Sequence, residues 1–376
     1  MKRQSGFTLV EVLVAVAVMV IILGITMSIL SNAIHTVEGV SLLADTQQNL
    51  RAGMNYIVRD LVQAGVGIPQ SGITIPNTGG ASAVVRPGPY TAPATSFGNF
   101  PAAWTVLPAI SPGYQIGVIT DTSGAKTDLI NIIYADNTLI DPSQHWLNEF
   151  PVNTPGGGTG CGGATPTPNG KIVTAGTTTT VTFDASCINI NTGNTALAAG
   201  DLILLQANAG PMALLTVSAA NLPGNSITFS TGDAYALNNS GKATGTIQQI
   251  QSPSGSGSYT TTTASRIWMI TYFIDISIPQ RPQLMRQVNL RPAQSVGDAI
   301  ENMQFMYDIL NAGSTPPSVT ADVISPTLAQ IPYTRDVYIS LFARSESPYS
   351  VNQRYFRNNL QTAVSIRSLN FFNEYK

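Results

Sequence analysis

The chain has 376 residues, of which only 10% are charged, 18 Lys and Arg against 20 Asp and Glu. Soluble domains usually carry about 25%. A formal net charge of -2 supplies no global electrostatic drive toward nucleic acid, whose recognition shows as a basic patch or an elevated isoelectric point. With 43% hydrophobic residues the chain can bury at least one sizeable core, and 33 Gly with 24 Pro predict many turns rather than low-complexity disorder.

Lys2 and Arg3 precede an apolar run from Phe7 to Leu30. At about 1.5 Å per helical residue this run spans roughly 36 Å, enough to cross a bilayer core. It is longer than the roughly 7 to 15 apolar residues of a secretory signal, and an amphipathic pattern continues beyond it, so simple removal is not expected. The two basic residues predict a cytoplasmic N-terminus and place the chain after Leu30 on the far side of the membrane. Glu11 interrupts the run, and no basic residue lies between Phe7 and Leu30. A carboxylate at that depth needs a partner or a function. Cutting the chain between Gly6 and Phe7 would create an α-ammonium at Phe7 able to pair with Glu11 of an adjacent subunit; the bland alternative is a plain signal anchor with a stray Glu.

The segment Gly6-Phe7-Thr8-Leu9-Val10-Glu11, after its short basic leader, resembles the class III signal of type IV pilins and type II secretion pseudopilins. By that resemblance a prepilin peptidase cleaves after Gly6 and methylates the new Phe7 amine. Glu11, the fifth residue of the mature chain, would then guide subunit registration.

Beyond the membrane run, Leu43, Leu50, Met54, Ile57 and Leu61 recur at helical spacing and predict an amphipathic helix to about Ala64, stopped by Gly65, Gly67 and Pro69. From Phe7 this is one helix of roughly 87 Å. Gly24, Gly39 and Gly53 each cost about 1 kcal/mol relative to Ala and mark places where it could bend. Arg59-Asp60-Leu61 with Ala64-Gly65 resembles the end of the first helix in PilW-type minor pilins, a family related to the minor pseudopilin GspJ. On the residues alone, Arg59 and Asp60 read equally well as a solvated pair.

Residues 68–112 are rich in Pro, Gly, Ser and Thr and predict an irregular connection with short strands. Strand-like segments follow at Tyr114 to Ile119, Asp128 to Tyr134, Thr179 to Phe183, Asp201 to Gln206, Met212 to Val217, Ser226 to Phe229, Arg266 to Ile276 and Val337 to Ala343. Gly200 to Leu205 and Ala213 to Val217 read as adjacent strands around the Ala209-Gly210-Pro211 turn. In the C-terminal third, Ile270 to Ile274, Leu284-Met285-Arg286 and Val296 to Tyr307 resemble the strand, basic turn and short helix-to-strand element of PilW-type proteins. Tyr333 to Arg344 and Leu360 to Arg367 resemble that family's closing strands. Residues 68–112 and 153–169 look like insertions.

The expected fold is therefore α+β: a long N-terminal helix, half transmembrane and half amphipathic, on a β-rich pilin-like head with long loop insertions. Its parts are a leader (1–6), the transmembrane half (7–30), the amphipathic half (31–64), a loop-rich connection (65–112) and the head (113–376).

Cys161 and Cys187 are the only cysteines. In an exported head they form a plausible disulfide, worth about 3.5 kcal/mol in the chain-entropy model, with two free thiols as the alternative. Two Cys without nearby His argue against a metal site. Gly170-Lys171 is followed by Ile172, with Thr165 where a phosphate loop needs Gly, so that motif is rejected. Asp233 with Asn238, Asn239 and Gly241 is faintly similar to a calcium loop, but the spacing favours a solvated turn. His35 and His145, the only histidines, give little material for a His-based catalytic dyad. No cofactor is expected.

The resemblance thus implies a non-enzymatic minor pilin that primes and caps a type IV pilus-like fibre. Its implied partners are other minor and major pilins or pseudopilins, prepilin peptidase, the inner membrane and the pilus assembly platform, with no nucleic acid. Its expected locations are the inner membrane, with a periplasmic head, and then the fibre tip or cell surface. A GspJ-like secretion pseudopilin and a tip adhesin or DNA-uptake subunit are the alternatives, and a membrane-tethered hydrolase has the least support.

Overall fold

The computed structural model describes residues 8–78, 81–88, 97–119, 124–136, 140–141, 145–146, 150–153, 171–183, 197–207, 210–221, 223–239, 242, 244–250, 262–278, 280–311, 313–314 and 317–370. Helix α1 runs unbroken over Leu9–Gln63. Ala64 closes it by donating its backbone N–H to the Leu61 carbonyl (3.1 Å), and Gly65 turns away at φ 79°, giving its own N–H to Ile133 of the head (2.9 Å). Thr26 and Thr36 hydroxyls donate to the Ile22 and Asn32 carbonyls, both at 2.8 Å, so neither leaves an orphan donor along the helix.

Exposure changes along α1 in one direction. Every residue from Thr8 to Ile34 is exposed, His35 is the first that the head partly covers, and Thr46, Leu50, Gly53, Met54, Ile57, Asp60 and Leu61 are buried. The predicted stripe is therefore correct from Leu50 onward, whereas Leu43 is 40% exposed. The three helical glycines do not interrupt α1. At Gly53 an added Cβ would lie 2.8 Å from Leu284 Cδ2 and 3.1 Å from Ile300 Cδ1, so this glycine lets the helix approach the sheet closely.

Two antiparallel sheets meet the helix, and both were expected only as scattered strands. In one, the long strand Thr262–Asp275 is central: Leu129–Ala135 and Phe150–Asn153 pair along one edge, and Leu202–Ala207 and Gln283–Val288 along the other. In the second, Ile300–Asn311 and Thr334–Arg344 are flanked by Ser318–Val323 and Arg357–Ser365. Arg357–Ser365 runs beside α1 in the same direction, because the start of that strand faces Gly39 through Phe356 whereas Ser368, just past its end, donates to the Ala64 carbonyl.

A third sheet, built from Lys171–Ala175, Thr178–Thr182, Ser226–Ser230 and Ala219–Asn221, covers the outer face of the 202–216 hairpin. This explains the unbroken apolar run at 202–205. Leu202 and Leu204 enter the core shared with α1, while Ile203 and Leu205 enter a second core with Val181, Ile227 and Phe229. Period-two alternation survives, but both faces are buried.

Three expectations are corrected. The first strand near residue 114 is Ile110–Gly113, since Gln115 takes φ 52° in a turn. Leu284, Met285 and Arg286 lie within the strand Gln283–Val288 and not in a turn. The segment from Val296 to Tyr307 contains no helix; the strands Gln294–Asp298 and Ile300–Asn311 meet at Ala299, with φ 56°. Met303, Phe305, Tyr307 and Ile309 are buried alternately, a two-residue period that belongs to a strand and not to the short helix the resemblance implied.

The close approach at residue 53 yields a test. Gly53→Leu should overpack the helix–sheet contact and destabilise the head by about 1–3 kcal/mol in denaturant melts. Gly24→Leu, where nothing lies within 4 Å of an added Cβ, should leave the melt unchanged.

Candidate functional site

The chemistry expected of this chain sits at the start of α1. Thr8 is the N-cap in extended conformation; its Oγ1 accepts from the Glu11 backbone N–H at 3.3 Å. In return the Glu11 Oε2 accepts from the Thr8 backbone N–H (2.9 Å) and hydroxyl (2.8 Å). This reciprocal box satisfies two helix-end donors that would otherwise face lipid. Glu11 thus has a partner within its own chain, a role not read from the sequence although Thr-x-x-Glu before an apolar run is its signature. Gly6 and Phe7 lie outside the described residues, as do Cys161 and Cys187.

At the other end, α1 is fastened to the head through Asp60. Its side chain is 1% exposed, and Oδ2 accepts from Arg286 Nε and from the Tyr272 hydroxyl, both at 2.6 Å. Arg59, 55% exposed, adds a longer contact to Oδ1 at 3.4 Å. The reading of Arg59 and Asp60 as a solvated pair is thereby corrected: the main partners of Asp60 come from two strands more than 200 positions away. Burial opposes the Arg286 charge, yet the Asp60 hydrogen bond and charge outweigh it and hold the guanidinium above its ordinary value. Burial, then the Asp60 charge, pushes the Tyr272 phenol far above its ordinary value and the Tyr134 phenol up to about 12.

A second polar cluster ties this face of the head together. Arg266 meets Asp136 at 2.6 Å and Asp201 at 3.8 Å, Arg291 meets Asp201 at 3.1 Å, and both guanidiniums lie over the Trp268 ring. Arg86, from the stretch read as an irregular connection, is 1% exposed. It donates to the Asn131 side chain (2.8 Å) and to the Ser111 and Pro112 carbonyls, over the face of Phe100. Nothing in local sequence marks Arg86 as core. Asp233 accepts from the Thr216 hydroxyl and from the backbone of Leu237 and Asn238, which makes it a turn anchor. His35 lies beside Glu38 and Ser350 at the membrane-proximal end of the head.

The Asp60 clamp predicts two measurements. Asp60→Ala leaves Arg286 partly buried without its charge partner and should cost about 3–5 kcal/mol in denaturant unfolding; Asp60→Ala with Arg286→Met should recover part of the loss. Because the folded-state pKa values of Tyr272 and Tyr134 lie above the ordinary 10.0, their contribution is present below pH 10 and lost as pH rises beyond it. The denaturation midpoint should therefore fall at alkaline pH, and Tyr272→Phe should flatten that fall.

Residues 1–27 match the prokaryotic N-terminal methylation motif. Comparisons with curated proteins and with solved structures returned no match. The match, the one helix among the described residues that is long and apolar enough to cross a membrane, and the antiparallel head together support an assembly subunit of the pilin and pseudopilin class, held in the membrane by an N-terminal span.

Proposed function

We propose that this chain is a PilW-type minor pilin that primes, and caps, a type IV pilus-like fibre. Prepilin peptidase would cut between Gly6 and Phe7 and methylate the Phe7 amine, and the Phe7 ammonium of one subunit would meet the Glu11 carboxylate of another. The observation that carries the reading is the first half of α1: exposed apolar residues from Leu9 to Leu30, with one carboxylate, Glu11, near the leading end and none of the described head residues covering them. Such a surface is stable only in lipid or against other apolar helices. Exposed Ile34, Val37 and Val40 continue the apolar surface beyond the span, where a neighbouring pilin helix could cover it.

The capping box sharpens the assembly step. Before assembly the Glu11 carboxylate is occupied by Thr8; on docking, a neighbour's ammonium would add to or replace those donors. A roughly 310-residue head suits a low-copy tip position, where nothing must pack above it. Partners under this reading are other minor and major pilins and the assembly platform, with the head on the periplasmic side before assembly and at the fibre tip afterwards. Genomic neighbours would separate this reading from a GspJ-like secretion pseudopilin.

Two variants isolate charge from capping. Glu11→Gln keeps a side-chain acceptor for the cap but removes the charge; Glu11→Ala removes both. Both should insert normally and fail to support fibres, scored by electron microscopy of surface fibres; normal fibre number with Glu11→Gln would reject the charge pair. Mass spectrometry of the fibre-incorporated chain should show the first six residues gone and Phe7 carrying one methyl group. A full-length N-terminus in assembled fibres would reject the processing step.

A further inference from the structure

The turn joining Thr334–Arg344 to Arg357–Ser365 lies where α1 enters the head. Ser350 donates its backbone N–H (3.2 Å) and its hydroxyl to Glu38, and His35 Nδ1 lies 3.0 Å from the same hydroxyl. The Ser350 hydroxyl accordingly holds the Glu38 carboxyl below the usual carboxylate range. Tyr349 and Phe356 rings pack together with centroids 5.2 Å apart and lie over Gly39. The turn is preformed: Ser345 and Phe356 exchange backbone and side-chain hydrogen bonds at its base, and Tyr349 and Arg354 pair across its tip.

Its height above the membrane follows from the helix. His35 is about 7 Å along α1 from Leu30, the last residue of the apolar run. The polar layer outside a bilayer core is itself roughly 5–7 Å thick. Glu38 is about 12 Å beyond Leu30, so a turn fastened to both residues stands at and just above the outer edge of the headgroups when α1 is upright. A tilt of α1 toward the side that carries the turn brings it into the headgroup layer. At that level α1 keeps Ile34 and Val37 58% and 70% exposed, as a boundary region tolerates. The composition of the turn fits the same layer. Val351 is 59% exposed at the tip, Arg354 is exposed beside it, and Tyr355 stacks under the Arg344 guanidinium at 4.5 Å. Aromatic rings are enriched at both water–lipid boundaries, and a long basic side chain near a helix end can reach the headgroup level.

We propose that residues 345–356 form an interfacial foot that seats in the headgroup layer of the membrane holding α1, with Val351 at the lipid boundary and Arg354 against anionic phospholipid phosphate. The foot fixes the tilt and height of the head before the subunit leaves the membrane. This rests on α1 being a membrane span, and the test separates the two. Full-length Val351→Trp and Val319→Trp variants are reconstituted in phosphatidylglycerol–phosphatidylcholine bilayers with or without brominated acyl chains. Val319 lies on the Ser318–Val323 strand, which pairs with Ile300–Asn311 at the end opposite the turn.

Relative to wild type, Val351→Trp should add a blue-shifted emission that brominated lipid quenches, and Val319→Trp should add emission that it does not. Arg354→Glu in the Val351→Trp background should reduce the quenching in phosphatidylglycerol bilayers and leave it unchanged in pure phosphatidylcholine. Unquenched Val351→Trp emission, or equal quenching at both positions, overturns the foot while leaving the span intact if the chain resists carbonate extraction. Extraction by carbonate overturns both.

Discussion

One continuous helix must satisfy two solvents. Residues 9–30 of α1 present only apolar side chains apart from Glu11 and a few small or hydroxyl-bearing ones, and none of the described head residues covers them; residues 46–61 form one wall of the head's core. Neither half is stable in the other's surroundings, so the boundary near residues 31–38 fixes where the head stands relative to the membrane. The polar groups along α1 are arranged to suit this division. Thr26 and Thr36 return their hydroxyls to the helix backbone, Glu11 caps the leading end, and the demanding charge, Asp60, is placed where strands can supply partners.

Asp60 shows how the stalk and the head become one body. A buried carboxylate meeting one guanidinium and one phenol at short range makes the helix–sheet register specific rather than merely adhesive. Such a pair contributes modest net stability, but leaving either charge unpaired is severe, so the helix cannot slide past the sheet without exposing an unpaired group. Gly53 lies two turns below on the same face and brings the helix close to Leu284 and Ile300. Together the glycine and the carboxylate hold α1 against both sheets. A subunit that is pulled from the membrane by its helix would transmit that movement to the head through these contacts.

The head illustrates how a second layer alters what a sequence pattern means. The 202–205 run reads as a strand, and is one, but its lack of polar alternation reflects a third sheet stacked on its outer face. Likewise the Gly-, Pro- and Thr-rich stretch after α1 is irregular in form yet delivers Arg86, Phe100 and Trp104 into the interior. Arg86 is held by carbonyls, an amide and an aromatic face from segments well separated along the chain.

From sequence alone followed the features set by local chemistry: the apolar length of the span, the Gly-Phe-x-x-x-Glu signal, the stripe from Leu50 to Leu61, and strands whose β-branched runs are strong. The capping box at Thr8 and Glu11 needs only four consecutive residues and so has a local signature too, though the role of Glu11 in it came from the structure. What only the tertiary structure decided were interactions whose partners are distant in sequence: Asp60 with Tyr272 and Arg286, the core position of Arg86, and the seat of Ser350 on Glu38. The strand at Ile300–Asn311 belongs with these, because pairing with Thr334–Arg344 and burial of every second side chain set a strand where the resemblance implied a short helix. Local preference is a small energy per residue, and in a head of packed sheets the pairing of distant strands and the burial of their side chains decide the structure.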